Sequence, residues 1–125
     1  MIVVVRSGDS APTPARMPNL RGISGRSAGA RHLSLHLVVI PPGGVAEPHV
    51  HRGFETAIYV IAGDVETRYG PGLCRRVRTV TGDFLFIPPD LPHQPVNLSS
   101  SEPALAIVAR NDPVEHERAE RYDLP

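Results

Sequence analysis

The sequence predicts an all-β domain, a sandwich or barrel, and three observations carry that prediction. Glycine (11) and proline (14) together make up one residue in five of 125, well above the usual share and unfavourable for a helical bundle. Six short β-like runs lie between residues 31 and 109, and turn-forming residues fill nearly every gap between them. The spacing of runs and breaks is that of a sandwich or barrel, and no repeat of 20–50 residues interrupts it.

Taken in order, Ile2–Val5 is a short apolar strand candidate. Arg6–Ala30 is rich in Ser, Gly, Ala, Pro and Arg and has neither helical nor strand periodicity, so residues 1–30 are expected to form an N-terminal strand and an irregular arm. In Arg31–Ile40, Leu33, Leu35, Leu37 and Val39 share one parity and His32, Ser34, His36 and Val38 the other, the alternation of a strand with one face in a core. Thr56–Ala62 is apolar on both faces, as suits a strand covered on both sides. Val65–Tyr69, Arg75–Val80, Asp83–Ile87 and Ala104–Ala109 complete the set, and Phe54, Phe84, Phe86, Leu91 and Val96 are expected in the core or a pocket wall. The barrel is thus bounded at 31–112. The tail, 113–125, has weak helical leanings over Pro113–Arg121, enough for one exposed turn or plain coil.

Composition excludes several functions. Thirteen basic residues balance thirteen acidic ones, so nucleic acid and anionic membrane are not expected partners. All the basic residues are Arg, which rules out Schiff-base catalysis by a lysine. Cys74 is the only cysteine, so no internal disulfide or cysteine-based zinc knuckle can form. The four apolar residues after Met1 are too short for a secretory signal and no run is long enough to span a bilayer, so a cytoplasmic location is expected.

The chemistry lies in two short segments. His49 and His51 are two apart, so on an extended segment both rings project from one face and can converge on one ion. Glu55 follows four residues later, and His93 stands after the proline-rich turn Pro88-Pro89-Asp90-Leu91-Pro92, a rigid place from which to aim an imidazole. Three imidazoles and a carboxylate suit Fe, Mn, Ni, Cu or Zn as the divalent ion and leave positions open for water or substrate.

Two stretches carry a family resemblance. Gly43-x5-His49-x-His51-x3-Glu55-x7-Gly63 resembles the first motif of the cupin superfamily, and Gly82-x5-Pro88-x-Asp90-x2-His93-x3-Asn97 resembles the second, with eighteen residues between Gly63 and Gly82. The resemblance implies a jelly-roll barrel of the small bacterial type and one divalent transition metal per chain on His49, His51, Glu55 and His93. Gly43, Gly63, Gly82, Pro88 and Asn97 match structural positions. It also implies a homodimer in which Ile2–Val5 adds to the partner's sheet. Two departures stand out: one extra residue separates Glu55 from Gly63, and Asp90 replaces a usual glycine. The extra residue leaves open a three-histidine site completed by water, while Asp tolerates the left-handed backbone a glycine would adopt.

His36 is a candidate proton carrier if its face lines the barrel, and Glu47, of the same parity as His49 and His51, a candidate general base. Their ordinary alternatives are a core or surface histidine and a solvated loop carboxylate. Arg75, Arg76 and Arg78 fit either an anion site or a charged edge strand, and Cys74 beside them has no evident base. The reading is a metal-dependent enzyme acting on a small organic molecule. Dioxygenase chemistry is preferred slightly over isomerase or cyclase chemistry because of the mixed His/Glu donor set. The alternative is a non-catalytic small-molecule binding or sensing module.

Overall fold

The computed structural model describes residues 1–6, 19–114 and 119–125. Ten strands are present among them: β1 (Asn19–Ile23), β2 (Ser34–Ile40), β3 (His49–Val50), β4 (Thr56–Ala62), β5 (Asp64–Tyr69), β6 (Arg75–Val80), β7 (Phe84–Ile87), β8 (His93–Asn97), β9 (Ala104–Arg110) and β10 (Glu120–Arg121). They form two antiparallel sheets, ordered β1-β2-β9-β4-β7 and β10-β3-β8-β5-β6. Val60, Val65, Ile40, Val108 and Ile87 are buried between them. This is the all-β jelly roll that the motifs imply.

Each run expected from residue 31 onward is found, with shifts of a few residues at the ends. Short pieces outside those runs were not legible. β1 lies within the stretch read as irregular, and a four-residue helix, α1 (Gly25–Ala28), follows it. The sequence of β1 has little strand character of its own, and its ladder to β2 supplies the pairing. Gly22 is needed there, because a Cβ at this position would lie 2.6 Å from the Leu35 carbonyl oxygen. In the tail, the described residues show the two-residue strand β10 paired to β3 instead of a helical turn. Residues 115–118 of that expected turn lie outside the described residues, as does 7–18 of the arm.

Of the two faces of β2, the one that carries His36 turns inward. Ser34 and His36 are buried, and His36, Val38 and Ile40 line the interior, whereas Leu33 and Leu35 are 53% and 40% exposed. In β4 the interior takes Thr56, Ile58 and Val60, leaving Ala57, Tyr59 and Ile61 exposed, so the described residues do not cover the second apolar face of this strand. Phe84 and Phe86, expected in the core, are 81% and 57% exposed, because β7 turns Leu85 and Ile87 inward. Parity within a strand is legible from sequence; which parity faces the barrel is not, when both faces are apolar.

The family's structural positions explain themselves here. Gly63 has φ +132 and a Cβ on it would meet the Ala104 Cβ at 2.7 Å. Asn97, buried, donates through Nδ2 to the carbonyls of Ile40, Pro41 and Glu102, and its Oδ1 accepts from the Ser99 N–H, so one side chain ties three chain segments together.

Candidate metal centre

β3 and β8 pair in register with His49 opposite His93, and His51 follows two residues after His49 on the same side. The ring centroids of His49 lie 5.1 Å from His51 and 4.3 Å from His93, with His51 and His93 5.4 Å apart. One nitrogen from each of the three lies within 4.8 Å of the others.

Two hydrogen bonds, one between backbone groups and one to a side chain, bring the motif segments together. The Asp90 N–H donates to the His51 carbonyl at 3.0 Å, and the Gly53 N–H donates to the Asp90 carboxylate at 3.0 Å. Asp90 does so at φ +67, the left-handed backbone anticipated for it, and Gly53 turns at φ +77. The rings are aimed by carbonyls: Nδ1 of His49 lies 2.8 Å from the Glu47 oxygen and Nδ1 of His93 lies 2.9 Å from the Leu91 oxygen. A carbonyl only accepts, so both rings carry the proton on Nδ1 and keep the Nε2 lone pair for an ion. The Nε2 atom of His51 is buried and makes no hydrogen bond, which is costly unless a cation takes its lone pair. Burial, then the neighbouring charge of His49, lowers the His93 pKa from 6.5 to about 4, so the imidazole is neutral at pH 7, the state a ligand needs. Three converging imidazoles fit one divalent transition metal.

Glu55 does not join them. It is exposed, and its N–H donates to the Asn111 Oδ1 at 2.8 Å. The cause is strand alternation: Thr56, 1% exposed, points into the barrel, so its neighbour points out. Counting back from Gly63 at the commonest family spacing lands on Thr56, not Glu55, so the extra residue moves the carboxylate to the wrong face. Thr56 accepts at Oγ1 from Arg110 Nε at 3.2 Å, and both line the cavity with His49 and His93. The spacing departure was the available signal for Thr56. Arg110, at the end of an apolar strand, left none.

His36 is buried in the cavity wall and its Nδ1 accepts from the Gly22 N–H at 3.2 Å, which leaves the proton on Nε2. The Glu47 side chain is exposed and is not among the cavity-lining residues; its contribution is the carbonyl that orients His49. His32 and Cys74 are exposed. Arg78 makes two 2.7 Å bonds to Asp64 and Arg76 lies 3.5 Å from Glu66, the charged-edge arrangement on β6. The cavity is about 240 Å³ and mostly apolar. No described helix is long and apolar enough to cross a membrane.

Three histidines from two linked segments thus lie close together in a jelly-roll barrel. The family model for the cupin domain matches residues 36–110, more than half of the chain, and the protein belongs to that family. No curated protein matches by sequence. Among solved structures, the polyketide cyclase RemF from Streptomyces resistomycificus is 24% identical with a TM-score of 0.75, over 100% of this chain and 88% of that one. The protein TT1209 from Thermus thermophilus is 27% identical with a TM-score of 0.63, over 80% and 87%. A recombinant oxalate oxidase in complex with glycolate is 19% identical with a TM-score of 0.69, over 91% and 58%. The similar folds thus include enzymes of different chemistry.

Proposed function

We propose that the protein is a metal-dependent enzyme acting on a small, largely apolar organic molecule, by isomerase or cyclase chemistry in preference to dioxygenase chemistry. The observation that carries this is the donor set: three imidazoles, with Thr56 at the inward position where the motif would put a carboxylate. The preference for an oxygenase rests on a mixed His/Glu set, and Glu55 faces away. A divalent metal held only by neutral ligands supplies, when bound, a strong Lewis acid for polarising a carbonyl or enol oxygen. His49, His51 and His93 would hold it. His36 lines the cavity with its Nδ1 accepting from the Gly22 N–H, and most of the remaining wall is apolar.

Protein purified without affinity tag or chelator is expected to carry close to one divalent transition metal per chain. Turnover of enolisable dicarbonyl compounds is expected to proceed equally in air and under argon. Turnover that requires oxygen would return the oxygenase reading, and protein that takes up no metal when it is offered would end the metal reading.

A homodimer is part of the proposal. The outward residues of β2, β4, β7 and β9 are apolar except for Tyr59, whose ring packs 4.8 Å from that of Phe84. The opposite sheet carries ion pairs on β5 and β6 instead. An uncharged, apolar face meets its own copy without like-charge repulsion, as a two-fold interface requires. The exposed Ile2, Val3 and Val4 of the same chain offer a further apolar segment to the partner. Light scattering is expected to give twice the chain mass for the wild type and the single-chain mass for the Phe84→Glu/Phe86→Glu double variant; a monomeric wild type would overturn this.

A further inference from the structure

The barrel wall away from the histidines holds two hydroxyls that no described residue takes up. Positions on β5 alternate, so Val65 and Thr67 are buried while Asp64 and Glu66 pair with the arginines of β6 on the other face. Of the six residues of β6, Thr79 alone is buried. Val65 stands opposite Thr79 and Thr67 opposite Val77, so the two threonines are diagonal neighbours on one wall. They are 5% and 6% exposed, and both line the cavity. His93 pairs with Tyr69; from that level Thr67 lies about 7 Å along β5 and the level of Val65 and Thr79 about 14 Å, at the usual strand rise. Elsewhere in the cavity Thr56 accepts from Arg110, and at the β5–β6 end Thr81 accepts from the Gly63 N–H. Neither Thr67 nor Thr79 has a side-chain hydrogen bond to a described residue. Asn97, paired with Val65, has its amide committed to the carbonyls of Ile40, Pro41 and Glu102. The residues across the cavity, Val60 and Ala106, are hydrocarbon, and Ile40 and Ala104 pack on Val65. A buried hydroxyl without a partner is costly in a wall that valine, of the same shape and as good a strand former, would fill freely.

We infer that this wall is a ligand subsite: the molecule bound at the histidines carries a second, uncharged oxygen, a hydroxyl or a carbonyl, that hydrogen-bonds to Thr67 and Thr79. The inference rests on the proposed metal site and deepens it, because it makes the ligand oxygenated at both ends with an apolar body between. A threonine hydroxyl both donates and accepts, so the pair serves either kind of oxygen. The oxygen is uncharged because the charged side chains nearest in the ladder, Asp64 with Arg78 and Glu66 with Arg76, pair with one another on the face away from the cavity. A wall built to hydrogen-bond an oxygen rejects the analogue that lacks it, since the hydroxyls are then left without partners. Thr67 and Thr79 are thus assigned as specificity-determining residues.

The test is calorimetric titration of zinc-loaded protein with benzoylacetone, whose dione binds metal, beside its meta- and para-hydroxyphenyl analogues, which add an uncharged oxygen at the far end. The better-placed hydroxyl is expected to tighten binding about fivefold over the parent compound, the worth of one neutral hydrogen bond. In the Thr67→Val/Thr79→Val double variant that preference is expected to vanish, with zinc content unchanged and benzoylacetone bound no less tightly. The ligand-free double variant is expected to melt no lower than the wild type, because the hydroxyls hold nothing in the fold. Equal binding of all three compounds by the wild type, as threonines served by water would give, overturns the inference. A double variant that keeps the preference, or melts lower without ligand, overturns it too. The wild-type series needs no substitution, so it stands even if the variant fails to fold. Failure of the metal reading shows separately, as zinc content that does not depend on His49, His51 and His93.

Discussion

His93→Ala is expected to lower transition-metal affinity by at least about 100-fold, more than the loss of an outer supporting contact costs, and to abolish turnover with it. Elemental analysis after dialysis checks the metal and a spectroscopic melt checks the fold. The expectation follows from how His93 is held. β8 pairs it with His49, the Leu91 carbonyl fixes its Nδ1 proton, and burial keeps it neutral, so its Nε2 lone pair has no use in the barrel except as a ligand. Removing it leaves two imidazoles from one segment, with no donor from the opposite motif to complete the site. Glu55→Ala is the informative companion. If the metal rests on three histidines, it is expected to leave metal content unchanged, because its side chain is on the solvent face. A fall in metal equal to that of His93→Ala would mean that the carboxylate reaches the ion after all.

The contrast between these two residues shows what a sequence discloses about such a site. His49 and His51 were legible because spacing by two has one meaning on extended backbone. Asp90 was legible because few residues other than glycine accept a positive φ, and its carboxylate and N–H go on to tie the two motifs together. Glu55 is exposed beside the inward Thr56, and the extra residue before Gly63 had left its place open because sequence does not say where such a residue is absorbed. The same ambiguity left the inward face of β2 open: leucines mark an apolar face, but this barrel puts His36 inside and leaves Leu33 and Leu35 outside. Exposed Phe84 and Phe86 belong with that ambiguity, since a jelly roll has two apolar faces per sheet when something covers its outside. β1, β3, β8 and β10 were unreadable for another reason. They are short or contain proline, and their strand character comes from long-range partners such as the β2 ladder for β1 and Thr67 for Pro95.

Metal-free protein is expected to lose stability steeply between about pH 6.5 and pH 4, and His93 supplies the slope. Its pKa in the fold is lowered from 6.5 to about 4, mainly by burial, then by the charge of His49, with the bond to the Leu91 carbonyl opposing and His51 and Arg110 adding smaller contributions. The sign follows from proton counts. Between these values the unfolded chain binds a proton that the folded chain refuses, so stability rises with pH across the window. The contribution is fully present above the unfolded value, falls as the pH drops toward 4, and below that adds no further slope. At about 1.4 kcal/mol per unit, the two states differ on the order of 3 kcal/mol across the window. Urea melts in the presence of chelator, from pH 7 to pH 4, read this directly, and His93→Gln is expected to flatten the profile by that amount. An equal slope in wild type and variant would mean that His93 accepts its proton inside the fold at an ordinary pH. Bound metal acts through the same lone pair, because a ligating imidazole must be neutral. The metal-loaded protein is therefore expected to hold its stability to lower pH than the metal-free form and to release the ion as the proton displaces it.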